Sequence, residues 1–491
     1  MKGIMIQGCT SDAGKSFIAT ALCRVLKNRG YRVCPYKSQN MSNNSYVTWD
    51  GKEIGRAQGV QAEAAGIRAE TYMNPILLKP QKNLGAEIVL FGEVYRSMDG
   101  KAYQADFTMD MGLAALRKGL AMAEANSDIV VIEGAGSPAE VNLMEREICN
   151  MRVAREADVP VLLAVDINRG GAFASIVGTL ELLGKDRERV KGLIINQFYG
   201  DVRYFEDGVR WLEEYTGIRV CGVLPHVDVQ IEGEDSLSIN YRTEAKTEQH
   251  LDIGIVELPF LSNHTDMEIF RNEEDVSVRS IDEFTELGSF DAVILPGTKS
   301  TIGDMDYLEK SGLGERLRRY EGAVFGICGG YQIMGRELVD EEGVDLEAGT
   351  RRRGLGLLPT VTIFCREKKV RQTAFHGVHS FTRGMTAEGY EIHLGRTSIV
   401  DDGALPLWSD GSEAEGAATA DMRYGGSYLH NVFHNDAFRG AWLNLLRRKK
   451  GLPERPPVDT AVQKEQQYER LAEYAEKYLD IDYILELIEK K

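Results

Sequence analysis

Two glycine-bounded segments carry residue types that can do chemistry. The first is Gly8-Cys9-Thr10-Ser11-Asp12-Ala13-Gly14-Lys15-Ser16, which follows an apolar run and precedes a helical pattern. Its glycines let the backbone curl so that N–H groups and a helix N-terminus face a polyphosphate. Lys15 then reaches the terminal phosphates, and the Ser16 hydroxyl is placed to ligate Mg²⁺. Five residues rather than the usual four separate Gly8 from Gly14. Downstream, Asp128–Glu133 reads as a buried strand ending in a carboxylate beside Gly134 and Gly136. Ligands collect at the carboxyl ends of parallel strands, so Glu133 is expected near the Mg²⁺ and phosphates. Asn196 closes another apolar run. It suits either a contact to a base edge or a simple turn.

The second segment is Phe325-Gly326-Ile327-Cys328-Gly329-Gly330-Tyr331-Gln332. A cysteine between glycines at a strand-to-helix turn has the logic of a nucleophile elbow, where small neighbours permit the turn and the helix N-terminus favours a thiolate. The Gly329 N–H, with Gly297 from Leu295–Lys299, would form an oxyanion hole. A cysteine nucleophile needs a base. Of eight histidines, His430 is best placed, because it ends the short run Gly426–Leu429. His434 lies four residues on, but no third metal ligand follows at a useful spacing. His376 and His379 read as surface or core histidines.

The elements that must position these groups are short β-branched or leucine-rich runs separated by helical stretches. Ile4–Ile6, Ile129–Ile132, Val161–Val165, Gly192–Ile195 and Val220–Leu224 read as strands covered on both faces, with helices expected at Phe17–Arg29 and Met111–Ala125. That is a doubly wound α/β pattern. It lapses in the polar stretch 231–250, read as a linker, and restarts at Ile253–Val256, Ala292–Leu295, Ala323–Gly326 and Ser427–Leu429. The expected organisation is a P-loop domain over 1–230, a second α/β domain over 251–445 and a helical tail over 446–491.

Composition narrows the function class. The 58 Lys+Arg against 75 Asp+Glu leave a net charge of −17 with no basic block, which argues against nucleic-acid binding through phosphate neutralisation. No apolar run has the length of a membrane span. The seven scattered cysteines form no CxxC pair and fit reduced thiols in a cytoplasm.

Several further segments carry a resemblance. Gln39–Ser42, Asn44–Val47, Glu53–Gln58, Gln61–Ala65, Met73–Pro80, Glu133–Glu140, Asp166 with Arg169–Gly171, Tyr390–His393 and Tyr428–His430 stand in one order with the phosphate loop and the cysteine elbow. Together they make the chain resemble the cobyric acid synthase family of glutamine-dependent amidases in cobalamin biosynthesis. The longer phosphate loop is similar to that of dethiobiotin-synthetase-like NTPases. The resemblance implies an ATP-dependent synthetase domain followed by a class I glutamine amidotransferase domain. It also implies ATP, Mg²⁺, glutamine and a corrinoid as small-molecule ligands. The implied reaction amidates four peripheral carboxylates of adenosylcobyrinic acid a,c-diamide, with Cys328 as nucleophile and His430 as proton shuttle. Related amidotransferases often carry a glutamate two residues after the histidine. Here that position is Val432, so the group that orients His430 is not legible in the sequence.

Overall fold

An apolar strand buried on both faces needs covering layers above and below, and the first strand, Gly3–Gly8, is buried at every position. In the computed structural model, which describes residues 1–80, 85–227 and 242–490, it is the centre of a six-stranded parallel sheet. The strand order is Arg219–Pro225, Val190–Phe198, Val161–Asp166, Gly3–Gly8, Ile129–Glu133, Val33–Tyr36. All five expected strands of this half lie in it. The register sets Ile6 opposite Glu133, so that carboxylate stands level with the start of the glycine loop. The helix Lys15–Asn28 then leaves the loop and buries Ile18, Leu22, Val25 and Leu26 against one sheet face.

Chain contacts divide the protein into two compact units, Met1–Glu234 with Gln463–Lys491, and Asp235–Val462. Most of the expected linker, through residue 241, lies outside the described residues. The end of the chain belongs to the first unit. Leu471, Ala475, Ile484 and Ile488 from the helices Thr460–Tyr478 and Ile481–Glu489 join the core that holds Ile4, Ile6 and Leu22. Arg24, almost wholly buried, is ion-paired there with Glu465 and Glu469. The first unit also carries a small four-stranded sheet, in the order Gln39–Met41, Ile76–Pro80, Gly85–Leu90, Glu93–Asp99. The second expected helix begins at Leu113 and is preceded by a ten-residue π-helix, Tyr103–Gly112.

The second unit is built on a seven-stranded sheet, ordered Arg242–Thr243, Val276–Ile281, Leu251–Val256, Ala292–Leu295, Ala323–Ile327, Tyr424–Ser427, Ala417–Ala418. Its five inner strands are parallel and the two short edge strands antiparallel. A second sheet is dominated by a long hairpin of Thr360–Gly377 and Thr386–Ile399. The helix Asp436–Lys450 runs through position 446 and is tied to the sheet edge by buried ion pairs, Arg439 to Glu273 at 2.8 Å and Arg447 to Asp275 at 2.7 Å.

Candidate functional site

In the first unit the phosphate loop is shaped by its backbone. Gly14 has φ +90°, a conformation that a side chain would strain. A β-carbon there would also fall 2.0 Å from the Asn196 amide nitrogen. That amide donates to Ala13 O at 3.0 Å, so Asn196 braces the loop from a neighbouring strand. The Lys15 ammonium donates to the carbonyls of Thr10 (3.0 Å), Ser11 (2.7 Å) and Gly136 (3.1 Å), which holds it over the loop.

Next to it, Ser16 Oγ donates to Glu133 Oε1 at 2.8 Å. Glu133, almost fully buried, also accepts from Lys37 Nζ at 2.7 Å and Gln61 Nε2 at 2.6 Å. A buried carboxylate is tolerated only when paired and hydrogen-bonded, and this one is both. The structure thus gathers Lys15, Ser16, Glu133 and Asn196, and adds Lys37 and Gln61. A hydroxyl and a carboxylate oxygen side by side are the hard donor set that suits Mg²⁺, which takes few protein ligands beside phosphate oxygens and water. Among the described residues there is no cluster of three or more His, Cys, Asp or Glu that would cage a metal by itself.

In the second unit Cys328 sits at φ +50°, ψ −109°, a strained backbone for a side-chain-bearing residue. The turn closes because its neighbours lack side chains. A β-carbon on Gly330 would meet Leu295 O at 2.0 Å, and one on Gly326 would meet Tyr331 N at 2.6 Å. Gly329 begins the following helix, and its α-carbon faces the Gly297–Thr298 peptide, with Thr298 N 3.0 Å from where a β-carbon would stand. Gly297 in turn lies close to the His430 ring, whose Cε1 is 3.4 Å from the equivalent point.

His430 is completely buried and close enough to Cys328 for the two to interact electrostatically, while the Cys328 thiol donates to Ile392 O at 3.6 Å. Its Nδ1 meets Asp266 Oδ2 at 2.6 Å, and the second oxygen of Asp266 accepts from Asn431 N at 2.7 Å. Asn263 Nδ2 lies 3.3 Å from Nε2. The Tyr390 ring stacks on the imidazole at 4.9 Å and 14°. Burial alone would push the imidazole pKa down, but Asp266 and Cys328 outweigh it and raise it to about 10. Burial likewise works against the Asp266 carboxylate, and the facing His430 still holds it below its usual range.

Asp266 is the residue that sequence reasoning missed. It lies 164 positions before His430, in the 3-10 helix His264–Asn272 that follows strand Leu251–Val256. The available signal was the polar run Ser262–Asp266 just beyond a buried parallel strand, where ligand groups gather. Of the other cysteines, Cys9 has its thiol pushed up to about 11, and Cys34, Cys149 and Cys221 to about 12, in each case chiefly by burial. His379 is a turn histidine accepting from Phe381 N at 3.1 Å, its pKa lowered by burial.

A nucleotide-binding parallel sheet and a cysteine elbow with a carboxylate-oriented histidine, on one chain, define the class of glutamine-dependent amidoligases. Residues 4–237 match the CobQ/CobB/MinD/ParA nucleotide binding domain, and residues 252–438 match the CobB/CobQ-like glutamine amidotransferase domain. The chain is 46% identical to the cobyric acid synthase of a Geobacillus species, over 98% of this chain and 97% of the relative. Identity to the Anoxybacillus flavithermus cobyric acid synthase is also 46%, over 98% and 96% of the two chains. To that of a Nostoc species it is 43%, over 98% and 99%. The chain belongs to the cobyric acid synthase family, glutamine-hydrolysing amidoligases of cobalamin biosynthesis. None of the helices described is long and apolar enough to cross a membrane.

Proposed function

We propose that the chain converts adenosylcobyrinic acid a,c-diamide to adenosylcobyric acid by amidating four peripheral carboxylates, at the cost of ATP and glutamine. The observation that supports this most is the buried line Cys328–His430–Asp266 on a chain that also carries the Lys15–Ser16–Glu133 cluster. The Cys328 thiolate attacks the side-chain amide carbon of glutamine. His430, protonated, gives its proton to the departing nitrogen, and ammonia leaves with a thioester behind. The Gly329 and Gly297 region donates to the oxyanion. His430 then takes a proton from water, whose oxygen attacks the thioester to give glutamate and free Cys328. Asp266 positions the imidazole and stabilises its charged form.

In the first unit a corrinoid carboxylate oxygen attacks the γ-phosphorus of ATP, ADP departs, and an acyl phosphate results. Ammonia displaces the phosphate to give the amide. Lys15 and the loop N–H groups hold the phosphates. Ser16 and Glu133 are the residues that would hold Mg²⁺, which supplies charge neutralisation at the phosphate oxygens. Asn196 keeps the loop in its binding shape.

Mass spectrometry of adenosylcobyrinic acid a,c-diamide after incubation with the protein, glutamine, ATP and Mg²⁺ tests the reading. Successive replacements of hydroxyl by amino groups are expected. An unchanged corrinoid beside hydrolysed glutamine would move the reaction to another carboxylate substrate.

A further inference from the structure

Within the first unit a cavity of about 480 Å³ opens between the four-stranded sheet, the π-helix Tyr103–Gly112 and the segment Leu143–Cys149. Its walls are largely apolar, among them Leu78, Ile88, Met98, Tyr103, Leu143 and Ile148. Large apolar side chains also stand in solvent on the same elements. Met41 is 58% exposed, Val94 50%, Tyr95 40% and Met111 39%. Tyr95 and Met111 meet there, the hydroxyl lying 3.2 Å from the thioether sulfur. A π-helix of this length is rare and tends to mark functional sites.

The cavity adjoins the phosphate end of the nucleotide site through continuous chain. Lys37 bonds to Glu133, Ser38 Oγ donates to Ile148 O at 2.6 Å, and Gln39 is already part of the cavity wall. Two residues of extended chain span about 7 Å. Two charged side chains line the cavity. Glu147 is spent on backbone, accepting from the N–H groups of Cys149, Asn150 and Arg152. Arg146, exposed, has no carboxylate partner among the described residues.

We infer that this cavity and its methionine-bearing rim dock the corrinoid macrocycle, with Arg146 receiving one peripheral carboxylate while another faces the γ-phosphate. The inference rests on the corrinoid reading above and deepens it. Its chemistry follows from the ligand. A conjugated ring is apolar on its faces and anionic at its edge, so it needs a flat apolar seat and a cation at the margin. A site that must present four different edges of one ring to one phosphate gains from soft, adaptable contacts and few directional ones. Methionine supplies that adaptability.

The test uses the full chain with adenosylcobyrinic acid a,c-diamide, in wild type, Met41→Glu, Arg146→Glu and Arg146→Lys. Both positions are exposed, so unchanged melting temperatures are expected. Each glutamate variant should raise the corrinoid KM by about tenfold or more, from like-charge opposition, with kcat at saturation retained. Arg146→Lys should recover part of the loss. If wild type amidates the corrinoid and both glutamate variants keep its KM, the docking assignment is wrong and the proposed reaction stands. A fall in kcat with KM unchanged would overturn the assignment in the same way. A corrinoid left unchanged by wild type that still hydrolyses glutamine would overturn the reading and this inference with it.

Discussion

The two candidate sites, proposed above as a phosphate site and a glutaminase site, solve the same problem, holding charge in a buried place, by different means. In the first unit the loop backbone does most of the holding, and the side chains are locked by ion pairing, Glu133 between Lys37, Gln61 and Ser16. In the second unit a strained cysteine, a histidine and an aspartate come from three distant stretches, and the charge is balanced inside one line of groups. A loop that binds by N–H groups tolerates neighbouring substitutions as long as the turn survives. A relay of side chains fails when any member is removed. The contrast predicts that the two sites can be disabled separately and in different ways.

The sharpest break is Cys328→Ala. Glutamine hydrolysis should fall by about 10⁴-fold or more, as for loss of other nucleophiles, while amidation driven by added ammonium persists. A variant that still hydrolyses glutamine would remove Cys328 from the mechanism. Asp266→Asn comes next, with glutaminase kcat lowered by roughly 10²–10⁴-fold through loss of the orienting charge. The pH profile discriminates positioning from mere packing here. His430 has its pKa raised to about 10, so its charged form persists into alkaline solution, and removing Asp266 should move the alkaline limb to lower pH. The same raised pKa stabilises the fold below about 6.5, an advantage lost as pH climbs toward 10. In the variant that dependence should shrink, as thermal melts across this range would report.

In the other unit, Lys15→Ala should cost about 10²–10³-fold in ATP-dependent amidation with either nitrogen donor, by losing one preorganised phosphate contact. Equal loss with glutamine and with ammonium is the expected signature, and loss with glutamine alone would refute it. A smaller effect is expected from Gly14→Ala, where left-handed backbone costs a side chain about 1–2 kcal/mol and the Asn196 amide must yield. The ATP KM should rise with glutaminase activity intact. The smallest effect concerns Glu415, whose carboxyl is raised to about 8 by burial while it accepts from Ser427 Oγ and Tyr428 N. A folded-state pKa above the ordinary glutamate value of 4.5 means stability falls as pH rises from there toward 8. Glu415→Gln should flatten that fall in thermal melts, and an unchanged slope would contradict it.

Much of this was legible in the chain because it is local. The phosphate loop is nine consecutive residues between a strand and a helix, and the elbow is a cysteine among three glycines, so spacing alone carries the chemistry. His430 was reachable by elimination, although the strand expected to end there runs Tyr424–Ser427 and stops three residues short, and an isolated bridge to Tyr390 holds the histidine instead. The small sheet beside the phosphate site was not, since two of its strands are short runs such as Gln39-Asn40-Met41 and Ile76–Pro80 with no alternating pattern. Nor was the return of the final helices to the first core, because their apolar stripe says only that something must cover it.

What the sequence determined by itself, then, is every feature whose cause lies within a few residues: glycines that admit a left-handed turn, β-branched runs that demand burial, a lysine and serine set at a helix start. Only the tertiary structure decided which carboxylate orients His430, which lysine and glutamine pair with Glu133, and that Asn196 braces the loop at Ala13. Those contacts join residues 72 to 183 positions apart, at separations where chain order places no constraint and only the packing of the sheets brings the groups within hydrogen-bond reach.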